Sequence, residues 1–434
     1  MTVETTDKRR ERAVLAGLNV ASMERSERSD DRSMEELGAL AETAGAEVVA
    51  ELIQTRATPD PRSFIGDGKV QELKELIEEN DCDLAVFDNE LSPSQMRVLS
   101  EDLGVRVLDR SGLILDIFAQ RARSREGKLQ VELAQYQYLL PRLTGMWTHL
   151  VRQTASGGSS PIGTRGPGET QLETDRRHIR RKIRNLEESL KDVRRVRDTQ
   201  RRLREKNSFP VVALIGYTNA GKSTLLNRLT GSDIPANDRL FDTLDTTTRR
   251  LKLNERQEVL LSDTVGFIRK LPTHLVEAFK ATLEELKYAD ILLHVIDLSN
   301  PEWGVQAEVV DTLVRQLGAE KTPCIRVFNK CDRAFGILPH GEDVVCISAL
   351  SGEGCDRLVE KISEMLAGKV RETELHLPWS EASLVDGLKQ NGSLLDLQYE
   401  EDGIRVRAVL DDENFGRLKA YIPGYEETLE EWER

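Results

Sequence analysis

Apolar and polar positions recur with two different periods along this chain, and the changes of period divide it. Residues 1–20 are charged, follow neither period and read as a flexible N-terminus. From residue 21 a regular pattern sets in. Residues 34–44 carry apolar side chains at helical spacing, with Gly45 placed to end the helix, and 46–54 read as a strand. Residues 69–79 and 92–103 repeat the helical spacing, while 84–87 and 105–108 are short apolar strands. Such alternation predicts an α/β layer with a partly parallel sheet over residues 21–112. Residues 113–140 then keep apolar positions mostly three and four apart, the spacing of a helix.

The pattern changes sharply at 157–168, where five glycines and two prolines exclude helix and regular strand. This is a specially shaped loop. Residues 169–206 contain neither Gly nor Pro and are dense in Arg, Glu, Leu and Lys, with a narrow apolar stripe at Ile179, Ile183, Leu186 and Leu190. They predict a long helix or helical hairpin, so 113–207 form a helical arm around the Gly-rich loop. Asn207-Ser208-Phe209-Pro210 ends the arm, and strands and helices alternate again to residue 367, a second α/β domain over 208–368. After it, 374–377 is strand-like, 380–389 helical, 394–400 and 404–410 a hairpin across Asp402-Gly403, and 412–420 a short helix. Residues 369–434 thus predict a small α+β domain.

At 434 residues the chain is too long for one ordinary core, which agrees with this division. No run approaches the roughly 20 apolar residues of a membrane span, and the N-terminus lacks a signal-peptide pattern, so a cytoplasmic protein is expected. The five cysteines (Cys82, Cys324, Cys331, Cys346, Cys355) include no C-x-x-C pair, which fits a reducing compartment better than disulfides or structural zinc. Charge changes the picture most. The net charge of −14 argues against a nucleic-acid partner, yet residues 121–206 hold 21 Lys/Arg against 10 Asp/Glu. That segment therefore carries +11 and the remainder −25. One segment suits polyanions and the rest does not. A solvated charged helix or a short coiled coil is the plainer reading of the same residues.

The chemistry lies in 208–368. Gly216-Tyr217-Thr218-Asn219-Ala220-Gly221-Lys222-Ser223-Thr224 contains G-x-x-x-x-G-K-[ST] directly between an apolar strand and a helical segment. Its backbone N–H groups, Ala220 and Gly221 among them, are expected to face phosphates, Lys222 to bridge the β- and γ-phosphates, and Ser223 to ligate Mg²⁺. Asp263-Thr264-Val265-Gly266 follows the strand 259–261; Asp263 is expected to hold the metal and the Gly266 N–H to meet the γ-phosphate. Asn329-Lys330-Cys331-Asp332 chooses the base. The Asp332 carboxylate accepts two hydrogen bonds from guanine and would stay unpaired against adenine. Asn329 is expected to brace the loop and touch the base edge, and the Lys330 stem to cover its face. Ser348-Ala349-Leu350 supplies the Ala349 N–H to guanine O6. Four such motifs in order predict a P-loop GTPase, with GTP as substrate and Mg²⁺ as cofactor.

Between the first two motifs, Phe241-Asp242-Thr243-Leu244-Asp245-Thr246-Thr247-Thr248-Arg249 reads as switch I. Thr247 is the expected Mg²⁺ ligand, with Thr246 and Thr248 open alternatives. Lys222, Thr247 and Gly266 form the expected catalytic set. Phe267 stands where several GTPases place a water-orienting glutamine, and a phenyl ring cannot hydrogen-bond water. Slow intrinsic hydrolysis is expected, whether or not the ring also packs under switch II, the segment around 263–267.

These motifs, together with Phe64-Ile65-Gly66-Asp67-Gly68-Lys69, the run 86–95, 108–110, 115–119, 126–134 and above all Gly163-Thr164-Arg165-Gly166-Pro167-Gly168-Glu169-Thr170-Gln171-Leu172-Glu173-Thr174-Asp175-Arg176-Arg177, resemble the HflX-type ribosome-associated GTPases. The resemblance runs from about residue 33 to 367 and departs at Ser159-Ser160-Pro161, where a tighter Gly-rich stretch is commoner. It implies an N-terminal α/β domain, an arm ending in the Gly-rich loop, a G domain and a small C-terminal domain. It also implies binding to the large ribosomal subunit and its rRNA, and a role in splitting stalled or idle ribosomes under stress. Arg165, Gly166, Gly168, Arg176 and Arg177 are the expected RNA contacts. Some relatives have been proposed to carry ATP-related activity in the N-terminal domain. Gly66-Asp67-Gly68-Lys69 is too short for a P-loop and reads as a turn, leaving at most a weak second nucleotide contact there. A competing function is a GTP-dependent signalling or scaffold switch whose arm binds protein or an acidic membrane surface. An RNA-modifying activity in residues 1–150 finds no catalytic constellation to support it.

Overall fold

The computed structural model describes residues 10–21, 28–154, 167–206, 209–233, 240–244, 247–254, 257–272, 275, 279, 284–334, 336–367, 370–390, 394–400 and 402–424. Its N-terminal sheet is wholly parallel, in the order β2-β1-β3-β4, built from β1 (Arg12–Val20), β2 (Glu47–Arg56), β3 (Leu84–Phe87) and β4 (Arg106–Asp109). Helices α1 (Asp31–Ala44) and α4 (Arg110–Arg121) cover one face; α2 (Asp67–Glu79) and α3 (Pro93–Leu103) cover the other.

Residues 12–20, expected to belong to a fraying terminus, are instead the long interior strand of this sheet. Ala13 and Leu15 enter one core while Val14, Ala16, Leu18 and Val20 enter the other. A strand buried on both faces shows no alternation, which is why it escaped the period-two pattern. The domain therefore begins by residue 12 rather than 21.

A second difference concerns α4, which had been assigned to the arm. It is buried almost all round from Arg110 to Leu115 and again at Ile117 and Phe118, and it packs between the N-terminal sheet and the G domain. Only a narrow stripe at Asp116, Ala119 and Gln120 is exposed, and so wide a buried surface needs covering from more than one side. The arm starts after Ala122–Ser124, as α5 (Arg125–Thr154), and returns as α6 (Pro167–Lys206). Leu129, Leu133 and Tyr136 of α5 meet Ile183, Leu186 and Leu190 of α6, the predicted stripe, and Lys182 Nζ donates to Tyr136 Oη at 2.7 Å. Pro167 and Gly168, placed in the loop by composition, open α6; a proline is tolerated in a first helical turn because its missing N–H would have no partner there.

The G domain carries six strands in the order β10-β9-β8-β5-β7-β6. They are β5 (Val211–Gly216), β6 (Thr247–Lys252), β7 (Glu258–Asp263), β8 (Ile291–Asp297), β9 (Cys324–Asn329) and β10 (Val344–Cys346), with only β6 antiparallel to its neighbour. Helices α7 (Lys222–Thr230), α8 (Trp303–Gln316) and α9 (Cys355–Ala367) flank the sheet. The strand order reverses at β5, so the crevice beyond its C-terminal end is where such a sheet takes ligands. The last domain is a three-stranded antiparallel sheet, β11 (Val370–Leu377), β13 (Ile404–Asp411) and β12 (Leu394–Tyr399), backed by α10 (Ser383–Gln390) and α11 (Asp412–Leu418). Its hairpin and helices match the expected pattern. No helix among the described residues is long and apolar enough to cross a membrane.

Candidate nucleotide-binding site

Two adjoining cavities open beyond β5, sharing Asn219, Gly221 and Thr224. The first is the phosphate end. It is lined by Thr218, Lys222, Ser223, Phe241, Asp242, Thr243 and Gly266 besides the shared residues. The P-loop wraps it because β5 stops at Gly216 and the chain regains helix only at Lys222. Gly221 has φ +94, and a Cβ there would stand 2.3 Å from Asn329 Nδ2, so glycine is required by both conformation and space. Gly266 is also tightly placed: a Cβ would lie 2.9 Å from Thr218 Cγ2 and 3.1 Å from Lys222 Nζ.

Lys222 is buried, and its Nζ donates to Gly216 O at 3.1 Å and Tyr217 O at 2.8 Å. Burial pulls its pKa down from 10.5 to about 8, against the opposing pull of Asp263. Phosphates at this site would restore the ammonium's hold on its proton. Nucleotide binding between about pH 8 and 10.5 is thus expected to take up a proton, and affinity to fall as pH rises through that window, by at most about tenfold per unit. Calorimetric titrations at pH 9 in two buffers of different ionisation heat measure the uptake; equal heats in both would remove the assignment.

Ser223 Oγ donates to Asp263 Oδ2 at 2.7 Å and lies 2.8 Å from Thr243 Oγ1, and the Thr243 hydroxyl also reaches the Asp263 carboxylate. Burial pushes the Asp263 carboxyl above the usual range, and its Oδ1 is buried with no hydrogen-bond partner. Two hydroxyls and a buried, under-satisfied carboxylate are oxygen donors of the kind Mg²⁺ takes, so the residues fit that ion. Thr243 was not among the expected ligands. Thr247, the expected ligand, is the first residue of β6, paired in register with Asp263; Thr248 follows it in the strand, and Thr246 lies outside the described residues. The one sequence signal for Thr243 was its place inside the switch I segment.

The second cavity is lined by Asn329, Lys330, Asp332, Arg333, Ser348, Ala349 and Leu350 besides the shared residues. Lys330 sits at φ +62, and its Nζ donates to Asp297 Oδ2 at 2.7 Å and Asn219 O at 2.9 Å, which lays its stem along the cavity. Asn329 braces three loops as expected: Nδ2 donates to Ala220 O at 2.8 Å and Oδ1 accepts the Ala349 N–H at 2.9 Å. Both of its polar ends are thereby used within the protein, and the Ala349 N–H assigned to guanine O6 is engaged with Asn329 here. Ser348 is buried, and its Oγ accepts the Ser351 N–H at 3.2 Å, closing the loop. The Asp332 carboxylate remains part-exposed within the cavity lining.

Phe267 is buried, with its N–H on Gly216 O at 3.1 Å and its C=O on Thr218 N at 2.7 Å. The ring belongs to the hydrophobic core that also holds Tyr217, Ile268 and Leu275, which agrees with a packing role. Beyond it, Lys270 at φ +53 pairs with buried Asp88 of the N-terminal domain, while the Tyr217 hydroxyl donates to Glu36 and accepts the Arg269 N–H at 2.8 Å. Arg110 joins Asp88 to Glu36; against the effect of burial, Arg110 and Lys270 hold the Asp88 carboxyl below the usual range. No sequence signal announced this ionic contact between domains.

Of the expected RNA contacts, Arg165 and Gly166 lie outside the described residues, Gly168 stands in the first turn of α6, Arg176 is half-buried and Arg177 exposed. Gly66 caps α2 and takes its N–H to Gln54 Oε1, and Lys69 pairs with Glu72. That run is a helix start rather than a turn, and both groups already have protein partners.

Four family profiles match in order: "GTP-binding GTPase N-terminal" over 31–119, "GTP-binding GTPase Middle Region" over 121–204, "50S ribosome-binding GTPase" over 211–330 and "HflX C-terminal domain" over 338–420. The chain is 48% identical over 414 residues to a GTPase HflX of Caldanaerobacter subterraneus subsp. tengcongensis, covering 95% of this chain and 94% of that one. It is 44% identical over 381 residues to the GTPase HflX of Escherichia coli, covering 86% and 88%. Among solved structures, a GTP-binding protein of Sulfolobus solfataricus in complex with GDP aligns with 82% of this chain and 99% of that one at 26% identity and TM-score 0.44.

Proposed function

The chain belongs to the HflX family of GTPases and hydrolyses GTP, and from that premise we propose that it binds the large ribosomal subunit and couples its nucleotide state to the splitting of stalled or idle ribosomes under stress. The observation that carries this reading is the joining of a cavity lined by the P-loop and Asn329–Asp332 to a long helical hairpin within residues 121–206, a segment of charge +11 in a chain of net charge −14. In it, the Asp332 carboxylate reads the guanine edge and the Lys330 stem covers the ring. Lys222 leaves the Gly216 and Tyr217 carbonyls for the phosphates, and Gly266 offers its N–H to the γ-phosphate. Ser223, Thr243 and Asp263 are the residues that would hold Mg²⁺, which neutralises phosphate charge when bound. Arg165, Arg176 and Arg177 meet rRNA phosphates, and the backbone around Gly166 and Gly168 enters a cavity too narrow for a folded domain.

Phe267 brings no polar group to an attacking water, so the ribosome must complete the site. Hydrolysis should rise at least about tenfold with purified large subunits, equivalent to about 1.4 kcal/mol of barrier. Co-sedimentation with those subunits should favour a GTP analogue over GDP and weaken steeply with salt, each phosphate contact adding roughly −0.7 to −0.9 to the log–log slope. A chain with residues 163–168 replaced by a neutral linker should keep its GTP affinity and lose subunit splitting. Fast turnover indifferent to ribosomes, or splitting at the parental rate by the linker variant, would refute the proposal.

A further inference from the structure

Switch I is held from outside the G domain. Phe241 has φ +56, a left-handed conformation that a bulky residue seldom adopts and that persists only where its surroundings over-determine it. Its ring is 2% exposed and stands edge-on to Phe118 of α4, centroids 4.7 Å apart at 89°. Phe118 in turn meets Phe279 edge-on at 5.2 Å. Asp242, the next residue, pairs with Arg121 at the end of α4, at 3.4 Å. Thr243 follows, with its hydroxyl at Ser223 and Asp263. Two successive residues of the left-handed turn are thus fixed by α4, and the third is delivered to the phosphate end. Phe118 and Arg121 do not line the phosphate cavity, so their effect must pass through the turn.

Helix α4 is also bound to the arm. Only Ala122–Ser124 separate it from α5, and its N-cap Asp109 accepts hydrogen bonds from Tyr138 Oη at 2.8 Å and Arg142 Nη2 at 3.0 Å, both on α5. A displacement of α5 is therefore applied to α4 at both of its ends.

Resting on the reading of Thr243 as a ligand of the triphosphate's metal and of the arm as the ribosome-facing segment, we propose that Phe118 and Arg121 are positioning residues. They set Thr243 and so couple the arm to the nucleotide state. Such coupling is reciprocal: what the arm does to triphosphate preference, the triphosphate does to the arm.

The test uses the full chain without ribosomes, measuring Kd for GDP and for a non-hydrolysable GTP analogue in the presence of Mg²⁺. Phe118→Ala should weaken the analogue by about tenfold while GDP changes by less than about threefold, because GDP lacks the phosphate beside which Thr243 acts. Arg121→Glu should act in the same direction, whereas Arg121→Lys, which keeps a cation for the Asp242 carboxylate, should retain the parental preference. Equal loss of both nucleotides, or no change, means that Phe118 is merely structural and overturns the proposal. Should Phe118→Ala fail to fold, the two Arg121 variants decide: an unchanged preference in Arg121→Glu, or the same loss in Arg121→Lys, overturns it. Co-sedimentation with large subunits separates the two readings. If the parent does not bind them, the ribosomal reading fails while the ribosome-free ratio still decides the positioning role. If it binds, Phe118→Ala should pellet equally with either nucleotide, and retained nucleotide dependence would overturn the coupling.

Discussion

Replacing Asp332 by asparagine is expected to weaken GTP binding by about 2–4 kcal/mol and to give the protein a preference for xanthosine triphosphate. The local fold explains why so small a change has so large an effect. Lys330 turns the chain in a left-handed conformation, residues 331–333 form a single 3₁₀ turn, and the carboxylate is thereby delivered to a cavity also lined by Ser348, Ala349 and Leu350. Guanine presents two donors, N1–H and the exocyclic amine, to a group that only accepts. An asparagine amide offers one acceptor and one donor, so a guanine donor meets another donor. Xanthine carries an oxygen in place of the amine and restores the match. Competition binding of the two triphosphates to the variant measures the exchange. Parental GTP affinity in that variant would show that Asp332 does not read the base.

This site was legible because phosphate and base chemistry tolerate few residue types. Gly216 and Gly221 are fixed by close protein packing, a Cβ standing 2.3 Å from Val295 O or Asn329 Nδ2, while Lys222 follows from the charge of a polyphosphate and Asp332 from the donor pattern of guanine. Thr243 was not legible, since several threonines in one irregular segment are separated only by where the turn at Phe241 points them. That turn depends on Phe118, far away in sequence, and pairings of that kind leave no periodic trace. Helix α4 and strand β1 were placed differently for separate reasons. Strand β1 is buried on both faces and shows no period to read, whereas α4 does show a helical period and was joined to the arm because that period runs on into α5 across the short break at Ala122–Ser124. The arm was legible by contrast, because one side of α6 is wet and its stripe of Ile183, Leu186 and Leu190 stands out against charge.

The second large effect is expected from Lys222→Met, which should separate stability from catalysis. The lysine is desolvated, and burial has already lowered its pKa to about 8. The carbonyls it contacts have other donors: Gly216 O accepts the Phe267 N–H at 3.1 Å and Tyr217 O the Ala220 N–H at 3.3 Å. Methionine fills a similar length with an apolar, adaptable chain and leaves no new orphan on those carbonyls. Asp263 loses a nearby positive charge, so its carboxyl, already raised by burial, shifts further towards the protonated form rather than persisting as a lone buried anion. The nucleotide-free variant should therefore melt at or above the parental temperature. Hydrolysis should respond in the opposite sense. Charge accumulating on the β- and γ-phosphate oxygens loses its fixed cation, and removal of one preorganised donor of this kind costs about 10²–10³ in rate, about 2.7–4 kcal/mol. Single-turnover hydrolysis and thermal unfolding of the same preparation give both numbers. A variant that melts early would make Lys222 a structural residue of the loop, and one that hydrolyses GTP at the parental rate would place the catalytic charge elsewhere.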